Sequence, residues 1–158
     1  MKTLIAAIGA LALLPVAAAT EVAVSFSEDF AEDLAEDYGE REGERLTEDI
    51  TEDLVRAFER VGVEPARVDI TIINAKPNRP TFEQMSKEPG LDPIRSISIG
   101  GMKLSGTAYD ASGNVLASHE YGWFENDIRD VVGSATWTDA NRASRRFATR
   151  LAKQLNAS

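Results

Sequence analysis

The chain of 158 residues carries 26 acidic and 17 basic side chains, one histidine and no cysteine, for a net charge of −9. The lack of cysteine excludes disulfides, thiol catalysis, cysteine-ligated zinc and iron–sulfur chemistry. Residues 20–62 hold fifteen acids and four bases, a net of −11, whereas residues 63–158 hold eleven acids and twelve bases, a net of +1. A field of that sign in the first segment repels nucleic acid and anionic membrane surfaces, and it suits solubility, cations or a basic partner.

The first residues have the layout of a secretory signal, with Lys2, an apolar run from Leu4 to Leu14, Pro15, and then Ala17-Ala18-Ala19 as the cleavage site. The run is too short for a membrane anchor, which needs roughly 20 apolar residues, and no later stretch is long or apolar enough to span. Residues 1–19 therefore read as a cleavable signal peptide. Residues 20–158 read as a single acidic domain, exported to the periplasm or the medium and large enough to bury a core without disulfides.

In chain order, Val22, Val24 and Phe26 line one side of a first strand, Glu21 to Phe26. Ser27 can cap a helix from Glu28 to Tyr38, because its hydroxyl can accept from an orphan backbone N–H at the helix start. On that helix the doublets Glu28/Asp29, Glu32/Asp33 and Glu36/Asp37 take one half and Phe30, Ala31, Leu34, Ala35 and Tyr38 the other. Gly39 and Gly43 predict a break between Tyr38 and Glu44. A second amphipathic helix buries Leu46, Ile50, Leu54 and Phe58 and ends at Gly62.

Val68, Ile70 and Ile72 alternate as a strand. After Asn74 the prolines at 77, 80, 89 and 93 define a long connection, in which Thr81 to Gln84 reads as a capping box opening a short helix. A third strand is expected to resume at Ile97 and Ile99 and continue through Met102, Leu104 and Ala108, with a β-bulge at Gly100-Gly101 where the apolar parity switches. Asp110 to Asn114 reads as a hairpin turn, followed by a strand with Val115, Ala117, His119, Tyr121 and Trp123 on one face. Asn126 to Thr136 reads as a loop. A last helix, capped by Thr138 or Asp139, buries Ala140, Ala143, Phe147, Leu151 and Leu155 and carries Arg142, Arg145, Arg146, Arg150 and Lys153 outside. Its cations are expected to approach the acidic rows of the earlier helices. The order predicts an α/β domain of the α+β type, in two layers: a mixed sheet of about four strands with helices packed on one face.

Four features bear on function. The acidic doublets offer carboxylates, yet a regular helix points them outward and there is no D-x-D-x-D-G loop, so no metal site and no cofactor are assigned. His119, the single histidine, is the one candidate general base; it sits mid-strand, where a partly buried structural role is expected, and no catalytic residue is assigned. Arg79 and Glu83, on the proline-rich connection, are candidate ligand-binding residues because long ordered connections often carry function. Trp123 and Trp137 could form an aromatic platform for sugar or belong to the core.

If the helices cover one sheet face, the other presents Asp69, Thr71, Lys103, Ser105, Thr107, Tyr109, Ser118 and Glu120, with Tyr109 as an aromatic anchor beside the Arg79 loop. The functional expectation is a non-enzymatic envelope or extracellular domain that binds another macromolecule, an envelope protein or a glycan. The alternatives are a small hydrolase of envelope polymer and an acidic cation-buffering or solubilising protein. The leader reading predicts that protein recovered from the periplasm or medium begins at Thr20; an intact mass that retains Met1 would contradict it.

Overall fold

A computed structural model describes residues 19–158, so the expected signal peptide lies outside the described residues apart from Ala19. The elements are β1 (Glu21–Phe26), α1 (Glu28–Asp33), α2 (Glu40–Val61), β2 (Arg67–Lys76), α3 (Phe82–Lys87), β3 (Gly101–Tyr109), β4 (Val115–Phe124) and α4 (Thr138–Ala157). The strands form one sheet in the order β1-β2-β3-β4, parallel between β1 and β2 and antiparallel elsewhere. This is the α+β arrangement expected from the alternation pattern, with the helices packed against the sheet.

The packed face of the sheet carries Val68, Ile70, Ile72, Met102, Leu104 and Ala108, all buried, with Tyr121 and Trp123 closing its β4 side. Onto it the helices place Phe30, Leu34, Leu46, Ile50, Leu54, Phe58, Phe147 and Leu151, the residues that recur at helical spacing in the sequence. Gly106 of β3 lies beneath Ile70 of β2 and Phe147 of α4: a Cβ there would lie 2.6 Å from Ile70 Cδ1 and 2.7 Å from Phe147 Cζ.

Ser27 caps α1 as expected, accepting from the Phe30 N–H at 3.3 Å while donating to Ile73 O at 2.7 Å, so one hydroxyl ties the helix start to β2. The helix then widens into a π turn over Leu34–Tyr38 and stops at Gly39, whose φ of 97° few other residues adopt. Ala31 and Ala35 stay exposed. The break is confined to Gly39. Gly43 belongs to α2 and is buried, and a Cβ there would meet Leu34 Cδ1 at 3.0 Å and Phe26 Cζ at 3.2 Å, so its role is close packing rather than interruption.

The third strand is shorter than its hydrophobic pattern predicts. Ile97 and Ile99 lie in irregular chain, Ile99 is exposed, and β3 begins at Gly101. The reason is the partner strand: β2 runs on past Asn74 but ends at Lys76, and Pro77 has no N–H to extend a ladder. Ser98 instead makes single crossings, its N–H donating to Asn78 O at 3.0 Å and its hydroxyl to Pro77 O at 2.6 Å. The expected bulge at Gly100-Gly101 is absent. The register shifts fall between Ile72 and Asn74 and between Ala108 and Tyr109, and after the second of them Val115 is exposed rather than on the packed face.

The loop before α4 contains a 3₁₀ turn at Ile128–Val131 with Val131 buried. Neither Thr138 nor Asp139 caps α4. Trp137 occupies that position without a side-chain bond, Thr138 Oγ1 accepts from the Ala135 N–H at 2.8 Å, and the Asp139 N–H is satisfied by Asn78 Oδ1 at 2.9 Å.

Asn78 is fully buried. Its amide also donates to the Asp139 carboxylate at 2.5 Å and to Ser98 O at 3.2 Å, and its backbone N–H donates to Thr136 O at 2.7 Å. Gly100 leaves room for it, since a Cβ there would stand 2.8 Å from both amide heavy atoms. Asn78→Ala leaves the buried Asp139 N–H and carboxylate Oδ2 without their partner, with Arg142 still on Oδ1, and should lower unfolding free energy by about 3 kcal/mol. Urea denaturation of the two proteins checks this; a loss under about 1 kcal/mol would make the contact peripheral.

Candidate functional site

Helices cover one sheet face, and none of the described elements covers the opposite face on any of the four strands. Pairing aligns Ser25, Thr71, Ser105 and Glu120 in one row, Ala23, Asp69, Thr107 and Ser118 in the next, and Glu21, Arg67, Tyr109 and Val115 in a third. Polar contacts link these side chains. Ser25 and Thr71 hydroxyls lie 3.2 Å apart and those of Thr107 and Ser118 2.8 Å apart, Lys103 pairs with Glu120 at 3.0 Å, and Arg67 pairs with Asp69 at 3.1 Å. Tyr109 is half-buried beneath the Arg67 guanidinium, 4.4 Å from its ring centroid. The two hydroxyl pairs and the Lys103–Glu120 pair bridge neighbouring strands, while the Arg67–Asp69 pair lies along β2.

Arg79 and Glu83 lie at the far end of the sheet from Tyr109. Tyr109 pairs with Arg67, the first residue of β2, whereas Arg79 follows Lys76, the last, and ten strand residues separate the two ends by about 30 Å. The Arg79 loop therefore does not neighbour Tyr109. The Arg79 guanidinium donates to Ser134 O at 3.0 Å and to Ile94 O, tying the proline-rich connection to the loop before α4. Glu83 pairs with Lys87 at 3.0 Å on α3, and its Cβ lies against Gly39. Gln84 donates to Asp37 at 3.1 Å and Lys87 to Glu36 O at 2.6 Å, so α3 is clamped onto the π turn. Beside this clamp an open groove of about 660 Å³ is lined by Tyr38, Pro77, Arg79, Leu91 and Ile97 among others. Phe82 projects from α3 into solvent, 80 % exposed.

The two tryptophans do not share a surface. Trp137 is buried, edge-on to Tyr38 at 5.9 Å, and donates from its indole to Glu42 at 2.6 Å. Trp123 lies on β4 under the Arg146 guanidinium, 4.5 Å from the ring centroid. Arg150 covers Tyr121 in the same way at 4.4 Å.

Where α4 meets α2, the hydrogen bonds to the α2 carboxylates come from neutral side chains. The α2 carboxylates Asp49 and Asp53 accept from Asn141 at 3.0 Å and from Ser144 at 2.6 Å. Burial holds the Asp53 carboxyl above the usual carboxylate range, against the opposing effects of Ser144, Arg145 and Arg56. No cluster of three His, Asp or Glu side chains arranged to hold a metal occurs among the described residues.

The His119 ring stacks between Phe147 at 5.8 Å and Tyr121 at 6.5 Å, with Nδ1 3.3 Å from the Gln154 amide and Nε2 buried without a partner. Burial first, and Arg150 second, hold its pKa below the ordinary histidine value, so the folded chain favours the neutral ring. Compared with protein-family models, curated proteins and solved structures, the chain matches none.

The titration of His119 has a sign. The unfolded chain binds its proton more readily, so stability falls as pH drops below about 6.5. Asp53 works in the opposite sense at lower pH, because its raised pKa lets the folded state take up a proton first. His119→Gln should melt slightly lower at pH 7 and lose most of the fall between about pH 7 and 5. An unchanged pH profile, followed by melting temperature, would remove His119 from this role.

Proposed function

We propose that this chain is an exported, non-enzymatic domain of the cell envelope or extracellular medium whose role is to bind another macromolecule, and that its docking surface is the open sheet face around Tyr109 and Thr107. The observation that carries the reading is a four-stranded face that none of the described elements covers, with polar side chains linked between strands at Thr107–Ser118 and Lys103–Glu120. Pre-ordered side chains lose little entropy on docking, and an aromatic ring pinned by a cation is the kind of group that dominates binding energy. The leader-like pattern ending in Ala17-Ala18-Ala19 supports export.

The setting of His119 favours binding over hydrolysis. The ring of the single histidine is flanked by Phe147, Tyr121, Arg150 and Gln154, so its polar neighbours are an amide and a cation instead of a nucleophile and an orienting acid. The groove beside Arg79 supports no rival reading of equal strength, because that guanidinium is already committed to two backbone carbonyls.

The test is recovery of envelope or medium components on the immobilised protein, compared with Tyr109→Ala and Thr107→Glu. Both variants should fold, since neither residue lies in the core, and each should lower recovery several-fold, as loss of an interface anchor does. Undiminished recovery by both, with melting curves unchanged, would remove this face as the docking surface.

A further inference from the structure

Among the described residues the sheet ends on β4, ten residues long and paired on one side only. The bond from the Glu125 N–H to Gly100 O, 2.8 Å, makes Gly101 and Phe124 a non-hydrogen-bonded pair. Alternation then turns the backbone groups of Trp123, Tyr121 and His119 toward β3. Those of Phe124, Gly122, Glu120 and Ser118 point away from the sheet. Long free edges are ordinarily blunted by lysine, proline or a bulge. β4 has no Lys or Pro, its register shift lies only near its start, and its one acid, Glu120, is neutralised by Lys103. The opposite edge, β1, is only six residues long.

Beside this edge α4 runs antiparallel to β4: Arg146 lies over Trp123, Arg150 over Tyr121 and Gln154 next to His119. Four helix residues advance about 6.0 Å and two strand residues about 6.8 Å, so the two spacings match. The aromatic rings hold both guanidinium groups in place. In a chain with nine more acids than bases, no carboxylate pairs with Arg146, Arg150 or Lys153 among the described residues.

We propose that β4 and the arginine row of α4 form a docking groove for an extended acidic peptide, which joins the sheet as a fifth strand. The outward N–H and C=O groups of Ser118, Glu120, Gly122 and Phe124 receive its backbone. Every second side chain of the added strand points to the helix side at the same repeat as Arg146 and Arg150, so acids at alternate positions meet the guanidinium groups. A second copy of the chain fits less well: antiparallel pairing of two β4 strands would set two α4 rows of like charge side by side on one face. This groove is independent of the open face around Tyr109.

The probe is a fluorescein-labelled nine-residue peptide alternating Val with Glu, titrated into the purified protein by anisotropy and followed by amide hydrogen exchange. Binding is expected to weaken as salt rises, to vanish when Lys replaces Glu in the peptide, and to fall about tenfold in Arg146→Glu/Arg150→Glu. Glu120→Pro removes an outward N–H without touching the β3 ladder and should abolish binding; the charge-reversal pair keeps the test in force if that variant fails to fold. Exchange at Ser118, Glu120, Gly122 and Phe124 should slow on peptide addition, and Tyr109→Ala should bind the peptide as wild type does. Three results would overturn the proposal: unchanged affinity in the charge-reversal pair; the same four amides protected without peptide in a protein of dimer mass; or displacement of the peptide by a linear uronate polymer while those amides still exchange freely.

Discussion

The hydrogen bonds of one buried amide hold the upper end of this fold together. Asn78 satisfies the carboxylate and the N–H of Asp139 at the start of α4, the carbonyl of Ser98 in the returning connection, and the carbonyl of Thr136 in the loop before the helix. Four chain segments meet on that residue. The start of α4 has no side-chain cap, so its buried first turn depends on Asn78 for what a capping serine or aspartate would otherwise provide. Asp139 also accepts from Arg142 at 3.0 Å, which leaves its charge compensated inside the protein.

From this anchoring follows the position of α4 across β3 and β4, and from that the layout of both exposed surfaces. The sheet is four strands wide and three helices lie on one side of it, α1 toward β2, α2 toward β1, and α4 toward β3 and β4. None of the described elements covers the second face, which is polar and carries its own side-chain contacts. The same economy leaves β4 as a margin. The hairpin at Asp110 to Asn114 returns the chain once, and the loop after Phe124 carries it over the packed face rather than outward to another strand.

Much of this was legible from residue spacing. The caps at Ser27 and Thr81, the hairpin at Gly113, the stop at Gly62 and the helix faces all depend on local geometry, and local geometry is what a periodic pattern encodes. The failures share a cause. Ile97 and Ile99 alternate like a strand, but whether they pair depends on where β2 ends, and Pro77 decides that twenty residues earlier. Trp137 and Trp123 look alike in sequence, yet one opens α4 and is buried against Tyr38 and Glu42, and the other lies on β4 under Arg146. Arg79 was readable as a conspicuous residue on a long connection, but not its distance from Tyr109, which is set by strand register. Asn78 left no local signal at all: its partners lie 20 and 61 residues away.

The segregation of charge along the chain becomes a segregation in space. The acidic stretch folds into α1 and α2, over β1 and β2, and the basic row lies on α4, over β3 and β4. Between the two, at the α2–α4 contact, carboxylates are taken up by Asn141 and Ser144, so the cations of the outer row are not consumed there. The molecule therefore presents a negative flank at one sheet margin and a positive flank at the other, despite its net charge of −9. At physiological ionic strength a partner about 8 Å from the surface feels the nearer flank far more than the net charge. An acidic partner is thus turned away from the β1 side and admitted at the β4 side. Because Trp123 and Tyr121 hold Arg146 and Arg150 in place, admission there requires little reordering of long side chains, the term that usually cancels the gain from exposed ion pairs.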